Sequence, residues 1–404
     1  MTDAALLGRL RDEFGGAAVE PAADGVPRVL PGTTQAMADL LGLAGRDGLR
    51  VRIEGNRTWQ PADAPADLAV GTRRLARVVE IHPDDLVATA EAGTGFGLLQ
   101  QELAARRVRV ALDPPGRPGR TLGSVIATGT AGPLRHGSGP VRDHLLGLTV
   151  VTGDGRVIRS GGKVVKNVAG YDLTRLQAGA FGGFGVVTES HLRLQALPAC
   201  RVILYAGGER DVLTRQARTF MEEQLAAAGL ELCSRDAAWG LIVELAGTLE
   251  AVEEEAARVL RSSEVSWTRL TPDRDAAWRE ELADRLLQAP VTFRLGVFPD
   301  GLDETLDLLE ARLGTGTVSA GAGRGGLRWS GAPDPAALRE VRHLLARREI
   351  PLTLERAPWA FRRAMGHFGE YREGIGGLVG RLRQVYDPGS VLMVPLEAGL
   401  PSAP

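Results

Sequence analysis

Three stretches of the chain carry the residue types that cradle phosphate groups. VRIEGNRTW (51–59) reads as a strand running into a polar turn, and DPPGRPGRTLGSVIATGTAGPLRHGSGPVRD (113–143) is a long loop rich in Gly, Pro, Thr and Arg. AFGGFGVVTE (180–189) is a glycine turn feeding a β-branched strand. Successive backbone N–H groups in such turns form concave nests for phosphate oxygens, and nearby arginines add charge. One such turn alone is more often an exposed loop. Three together can embrace a dinucleotide.

Other motifs carry less. GAGRGG (321–326) satisfies G-x-G-x-x-G, but a strand-like GGLRWSG follows it where a helix N-terminus should receive a pyrophosphate. It reads as a glycine turn between two strands, and GTGFG (93–97) as a turn into a helix. Lys163 and Lys166 are candidate phosphate ligands, although surface lysines are commoner. Cys200 and Cys233 are the only cysteines, too few for a zinc site or an iron–sulfur cluster from this chain alone.

The composition narrows the class of function. With 404 residues the chain suits two domains, and a net charge of −2 argues against a general nucleic-acid binder or a polybasic membrane surface. Its 52 glycines are nearly double the usual share of about 7%, with no collagen-like period. The first residues lack an apolar signal-peptide core, and no apolar run reaches the ~18 residues of a membrane helix. The expected location is the cytoplasm, with any attachment to the inner membrane made through partners.

The elements that must position the loops alternate in texture. The first half is expected to be strand-dominated, with β-type runs at 51–57, 77–93 and 108–116, a helix over 95–107, a hairpin around Thr152-Gly153-Asp154-Gly155 and a strand over 185–197. A helix over 4–14 precedes them, and 21–34 reads as loop. After Pro198 strands at 201–207, 239–247, 264–270, 291–299, 325–331 and 351–357 alternate with helices at 209–229, 248–263, 302–313 and 335–348. That pattern implies ferredoxin-like layering of helices on one antiparallel sheet. The expected class is α+β. Its parts are a leader (1–23), a first domain (24–198), a cap (199–358) and a closing helix with a return segment (359–404).

Residues 113–197 strongly resemble the flavin-binding domain of the vanillyl-alcohol oxidase (PCMH-type) family. That family's pattern runs D-P-P, T-L-G-G, R-Y-G-x-V-R-D, G-G-K-V-V-K-N-V-A-G-Y-D-L-x-R-L and G-T-L-G-V-I-T-E. The matching residues are Asp113-Pro114-Pro115, Thr121-Leu122-Gly123-Ser124, Arg135-His136-Gly137 with Val141-Arg142-Asp143, Gly161 to Leu176, and Gly182 to Glu189. Weaker echoes are Trp278-Arg279-Glu280-Glu281, Arg294-Leu295, Leu327-Arg328-Trp329 and Tyr386-Asp387-Pro388-Gly389. Within the family the K-N-V-A-G-Y-D-L form looks especially like glycolate oxidase, and the chain resembles its smaller FAD-binding subunit.

The resemblance implies a PCMH-type FAD-binding domain with an α+β cap and a noncovalent FAD, since no His lies in the first turn. It assigns cofactor binding to Gly55, Asn56, Arg57 and Thr58, to Pro114, Pro115, Thr121, Gly123, Ser124, Thr128, Gly132 and Arg135, and to Gly182, Gly185, Val186 and Val187. Leu173 and Leu176 are expected to face the core. Two features depart from the family: Glu54 precedes the phosphate turn, and Met393-Val394-Pro395 replaces N-P-G at the C-terminus. A carboxylate beside a phosphate is unfavourable, and Arg57 could compensate.

Oxidising a 2-hydroxy acid at a flavin needs a cation for the carboxylate and a base for the hydroxyl proton. Arg294, Arg328 and Arg356 on cap strands are candidate cations, and His343 and His367 candidate bases, each also readable as structural; the catalytic residues stay unassigned. The chain lacks the H-x-G-D-G-N-type metal motif of related dehydrogenases and is expected to hold no metal. The resemblance implies a larger catalytic flavoprotein subunit and an iron–sulfur subunit as partners, with glycolate oxidised to glyoxylate. The alternatives are an NADPH-using FAD reductase on the same fold, or a scaffold subunit that has lost FAD.

Overall fold

The computed structural model describes residues 3–20, 24–116, 118–163, 172–235, 238–261 and 264–396. Lys166, Gly170 and Tyr171 lie outside them. The first half builds two sheets. A four-stranded mixed sheet orders Val19–Glu20, Arg28–Val29, Leu68–Gly71 and Val51–Glu54, the last three parallel to one another. A five-stranded antiparallel sheet orders Val78–His82, Val87–Glu91, Val186–Arg193, Leu145–Val151 and Val157–Gly161. The expected TGDG hairpin joins the last two named in chain order, 145–151 and 157–161.

From Cys200 the chain enters an eight-stranded antiparallel sheet made of two β-α-β-β-α-β units. The first unit orders its strands Thr268–Arg269, Cys200–Gly208, Ala238–Gly247, Gly229–Arg235, and the second Thr317–Gly321, Leu327–Gly331, Val291–Leu295, Leu352–Arg356. Pairing of Glu231 with Gly321 and of Cys233 with Ser319 fuses them. The ferredoxin-like layering read from the sequence is therefore present twice, in one sheet.

Strand alternation divides the two faces of this sheet. Val202, Leu204, Leu230, Leu232, Leu241, Val243, Phe293, Leu327 and Trp329 enter one apolar core with Leu213 and Phe220, Val252 and Val259, Leu306 and Leu309, and Leu338 and Val341 from the four covering helices. The opposite face presents Arg201, Glu231, Glu244, Arg294, Ser319 and Arg328, and this polar face meets loops of the first half. There Arg294 Nη1 donates to Thr128 O at 2.7 Å, Arg328 Nη2 to Ala131 O at 3.2 Å and Arg356 Nε to Trp59 O at 3.0 Å.

Several elements differ from the expectations. Arg28–Val29 is a strand inside the expected 21–34 loop, and helix Thr34–Arg46 follows, capped by Thr33 Oγ1 accepting from Ala36 N at 3.0 Å. Its glycines hide it, since each costs ~1 kcal/mol relative to alanine in a helix. Helix Pro272–Gln288 also goes unread, because it buries only Asp275 and Leu286 and so lacks an apolar stripe. Of the 108–116 and 264–270 runs only Val108–Arg109 and Thr268–Arg269 are strand. Helix Leu173–Gln177 buries Thr174 and Gln177, while Leu173 and Leu176 are half-buried.

The closing helix Ile375–Tyr386 leads into a segment that returns to the first half. Val51 N donates to Val391 O at 2.7 Å and Met393 N to Val51 O at 2.9 Å.

Candidate functional site

Strand Val51–Glu54 ends in the turn Gly55-Asn56-Arg57-Thr58, where Arg57 takes the left-handed conformation at φ 55. Asn56 Nδ2 donates to Gly119 O at 2.7 Å, tying the turn to the long loop. A Cβ on Gly55 would lie 2.5 Å from Thr121 Oγ1, so this approach requires glycine. Thr121 in turn caps helix Leu122–Thr128, accepting from Ser124 N at 3.2 Å. Across the opening, Gly185 adopts φ 130 with its backbone pressed on strand Leu145–Val151. A Cβ there would stand 2.6 Å from Val151 O. These glycines let chain approach chain, and the approach shapes the wall.

A cleft of about 1140 Å³ of atom-free space, part of it open solvent, runs between these loops. Gly55, Asn56, Arg57, Thr58, Thr121, Gly123, Ser124, Thr128, Gly182, Gly185, Val186 and Val187 all line it. The other four expected residues lie elsewhere. Pro114, Pro115 and Gly132 line a second cavity against helix Pro272–Gln288, and Arg135 borders a third with His136, Glu231 and Arg324.

The cleft also gathers residues the sequence reading did not assign to it: Arg52, Trp59, Gln60, Gln177, Phe181, Arg362 and the 393–395 segment. Trp59 and Gln60 had a signal, since they continue the phosphate turn. Arg362, Gln177 and Met393-Val394-Pro395 reach the cleft only by tertiary return. Phe181 has a left-handed backbone at φ 55, and its ring stacks on His367 at 3.8 Å between centroids.

Charge is arranged tightly around the turn. Glu54 is buried and receives Arg28 Nε at 2.7 Å and Arg52 Nε at 2.8 Å, with Arg57 Nε at 3.8 Å. Its carboxylate is thus neutralised by guanidiniums. Arg57 remains about half exposed, with only that longer contact to Glu54 among the described residues. Lys163 is held by Glu80 at 2.5 Å instead of reaching the cleft.

The candidate catalytic groups sort differently. His367 donates from Nδ1 to Leu354 O at 2.7 Å, and burial drives its pKa down to about 3, so the ring is neutral. A group that weakly basic is a poor proton acceptor and a good wall. His343 is exposed on helix Pro335–Arg347. Arg294 and Arg328 share one counter-ion, Glu355, at 2.8 and 2.7 Å. Phe293 pairs with Leu354 and Thr292 with Arg356, so Glu355 is the extra residue of a β-bulge. Burial opposes its charge, but the two guanidiniums hold its pKa near 2.

Comparison with known proteins gives this cleft its ligand class. The family model described as "FAD binding domain" matches residues 27–161. Residues 27–161 are thus similar to a FAD-binding domain. The chain is similar to the Escherichia coli (strain K12) glycolate oxidase subunit GlcE, 37% identical over 148 residues that cover 36% of this chain and 41% of that protein. It is also similar to the mitochondrial D-lactate dehydrogenase [cytochrome] of Arabidopsis thaliana, 37% identical over 37% of this chain and 26% of that one. A third relative, the Bacillus subtilis (strain 168) glycolate oxidase subunit GlcD, is 34% identical over 33% of this chain and 28% of that one. The chain thus spans less than half the length of these curated relatives. Among solved structures, p-cresol methylhydroxylase with substrate bound superposes with a TM-score of 0.77, with 12% identity over 96% of this chain and 95% of that one. An alkyldihydroxyacetonephosphate synthase gives a TM-score of 0.73 at 13% identity, over 97% of this chain and 84% of that one. These likenesses establish the PCMH-type α+β fold.

The cleft of the FAD-binding domain fits its cofactor. Trp59 Nε1 and Gln60 Oε1 are buried on its wall, a donor and an acceptor without a hydrogen-bond partner among the described residues. Buried polar groups are normally satisfied, so orphans on a cofactor wall mark positions for ligand atoms. Val186 and Val187 supply an apolar side, and the 55–58 turn a polar one with Arg57 available to a phosphate.

Proposed function

We propose that the chain is an FAD-dependent oxidoreductase subunit of the glycolate oxidase type, contributing to oxidation of a 2-hydroxy acid to the 2-oxo acid. The observation that carries this reading is the likeness of residues 27–161 to a FAD-binding domain, joined to relatives named glycolate oxidase subunit and D-lactate dehydrogenase. FAD, when bound, supplies a two-electron acceptor. The chain's own residues hold it: the 55–58 turn and Arg57 take the diphosphate, Gly182 to Val187 the apolar side, and Trp59 and Gln60 its polar edges. The polar face of the cap docks on the loops through Arg294, Arg328 and Arg356.

Electrons must then leave. The chain's two cysteines are fewer than the four thiolates of an ordinary iron–sulfur cluster, no His, Cys, Asp or Glu group among the described residues gathers to replace the missing ligands, and no nicotinamide fingerprint accompanies the FAD-binding region. We therefore assign the next step to partners, a larger flavoprotein subunit and an iron–sulfur subunit. No helix among the described residues is long and apolar enough to cross a membrane, so any membrane attachment is assigned to those partners as well. The test is anaerobic mixing of the FAD-loaded chain with 2-hydroxy acids or NADPH, alone and with the other subunits. Flavin bleaching by a hydroxy acid, with sustained turnover only in the complex, is expected. Bleaching by NADPH alone, or full turnover of the isolated chain with an artificial acceptor, would contradict the assignment.

A further inference from the structure

The second cavity lies where the FAD-binding domain meets helix Pro272–Gln288 of the cap, and encloses about 970 Å³ of atom-free space, part of it open solvent. Its walls are largely apolar: Phe96, Leu112, Pro115, Pro133, Trp278 and Leu282. Into this lining comes Arg120, 2% exposed. Its guanidinium lies over the Trp59 ring at 4.4 Å and donates from Nε to Ser124 Oγ at 3.2 Å, from Nη1 to Pro115 O at 2.8 Å, and from Nη2 to Thr128 Oγ1 and Thr130 Oγ1 at 2.5 and 3.1 Å. All four acceptors are neutral oxygens. A guanidinium has five N–H donors, so among the described residues one on Nη1 is left over, and the charge itself has no carboxylate in contact.

Among the described residues, the other charged side chains of the wall already have counter-charges. Asp113 takes Arg279 at 3.0 Å and Leu134 N at 3.0 Å, and Arg328 is held by Glu355 and Ala131 O. Gln100 bonds the backbone of Val110 and Leu112, and Ser319 donates to Glu231. A buried cation without a counter-charge costs several kcal/mol, and an anion entering the cavity recovers that cost. Burial accordingly pulls the Arg120 pKa down to about 9.

We propose that this cavity binds a carboxylate carried on an apolar body, with Arg120 receiving the carboxylate and Trp278 and the proline walls packing the body. Apolar burial stabilises by roughly 25 cal/mol per Å², so a two-carbon acid, with almost no apolar surface, leaves most of the lining unused. An aryl or branched 2-hydroxy acid uses it. The site does not rest on the function proposed above, because Arg120 and Trp59 stand between this cavity and the FAD cleft.

Calorimetric titration of the flavin-free chain with phenyllactate, glycolate and the uncharged amide of phenyllactate tests the site. Saturable binding of phenyllactate is expected, with glycolate and the amide at least tenfold weaker. Arg120→Met and the cavity-filling Ala283→Trp should each weaken phenyllactate at least tenfold, while Ala283→Trp leaves FAD binding, followed by flavin absorbance, unchanged. Should Arg120→Met fail to fold, Ala283→Trp decides. Equal binding of glycolate or of the amide, undiminished binding in folded Ala283→Trp, or no phenyllactate binding by the folded chain would overturn the proposal. A chain that takes phenyllactate but not FAD would overturn the proposed function and leave this site standing.

Discussion

The carboxylate of Glu355 meets the guanidinium of Arg328 at 2.7 Å with both side chains buried, at the point where a β-bulge turns the acid onto the polar face of the cap sheet. Arg294 shares the same carboxylate and donates to Thr128 O of the FAD-binding domain, so the pair anchors one domain on the other. Breaking such a buried pair by removing one charge costs about 3–5 kcal/mol. Glu355→Gln should lower stability to unfolding by urea by that amount at pH 7. Because the folded pKa is depressed to about 2, the stabilising contribution is full above the ordinary carboxylate range. It disappears as pH falls toward 2, so the gap between variant and parent should narrow in acid.

Glu231 predicts the opposite pH dependence. Burial raises its pKa to about 7, with Ser319 donating to it. A raised carboxyl favours folding fully below its unfolded pKa, and the benefit is lost as pH rises through about 7. Glu231→Gln keeps an acceptor for Ser319 and removes the titration. It should match the parent near pH 4 and become more stable than the parent by up to about 3 kcal/mol at pH 8, as read from thermal melts.

Gly55 and Thr121 should be coupled. Gly55→Ala places a Cβ 2.5 Å from Thr121 Oγ1 and must displace the 55–58 turn, so FAD affinity should fall by about tenfold or more, an effect of ~1.4 kcal/mol. Thr121→Ala alone should cost about 1 kcal/mol of stability through the lost helix cap. Combining the two removes the clash, and the affinity loss of the double variant should be smaller than the sum of the single losses.

Glu54 is not expected to oppose the cofactor. Glu54→Gln leaves Arg28 buried without a counter-charge in contact, while Arg52 keeps Asp24 at 2.5 Å, so stability should drop by about 3 kcal/mol. FAD affinity, followed by quenching of flavin fluorescence, should change by less than about tenfold and rise most at low salt. A gain of a hundredfold or more would show that the carboxylate acts against the diphosphate after all.

Local signals carried the reading where one segment suffices to define a feature. The 51–59 turn, the Thr121 region and the Gly182–Val187 strand entry are contiguous in sequence, and all reach one cleft. The cap's alternating strands and amphipathic helices likewise announced their layering, because burial on one face imposes period 2 on a strand and 3.6 on a helix. What stayed hidden depends on distant chain segments. Helix Pro272–Gln288 buries charges instead of an apolar stripe: Arg279 and Asp275 join Arg201, Glu244 and Asp113. Pro114, Pro115 and Gly132 sit beside the cleft residues in sequence yet face a different cavity, because Arg120 and Trp59 stand between. The separation of the two chambers could not be read from spacing. Nor could the bulge at Glu355, which a strand pattern of Leu352 and Leu354 gives no hint of.

The proposed function depends on noncovalent FAD in the cleft between the 55–58 turn and the 182–187 strand entry. The most direct measurement is the absorption spectrum of the purified chain after incubation with FAD and removal of the excess, followed by acid precipitation. A retained flavin spectrum that moves entirely to the supernatant on denaturation is expected. A folded chain that stays colourless, or a flavin that remains on the precipitated protein, would contradict it.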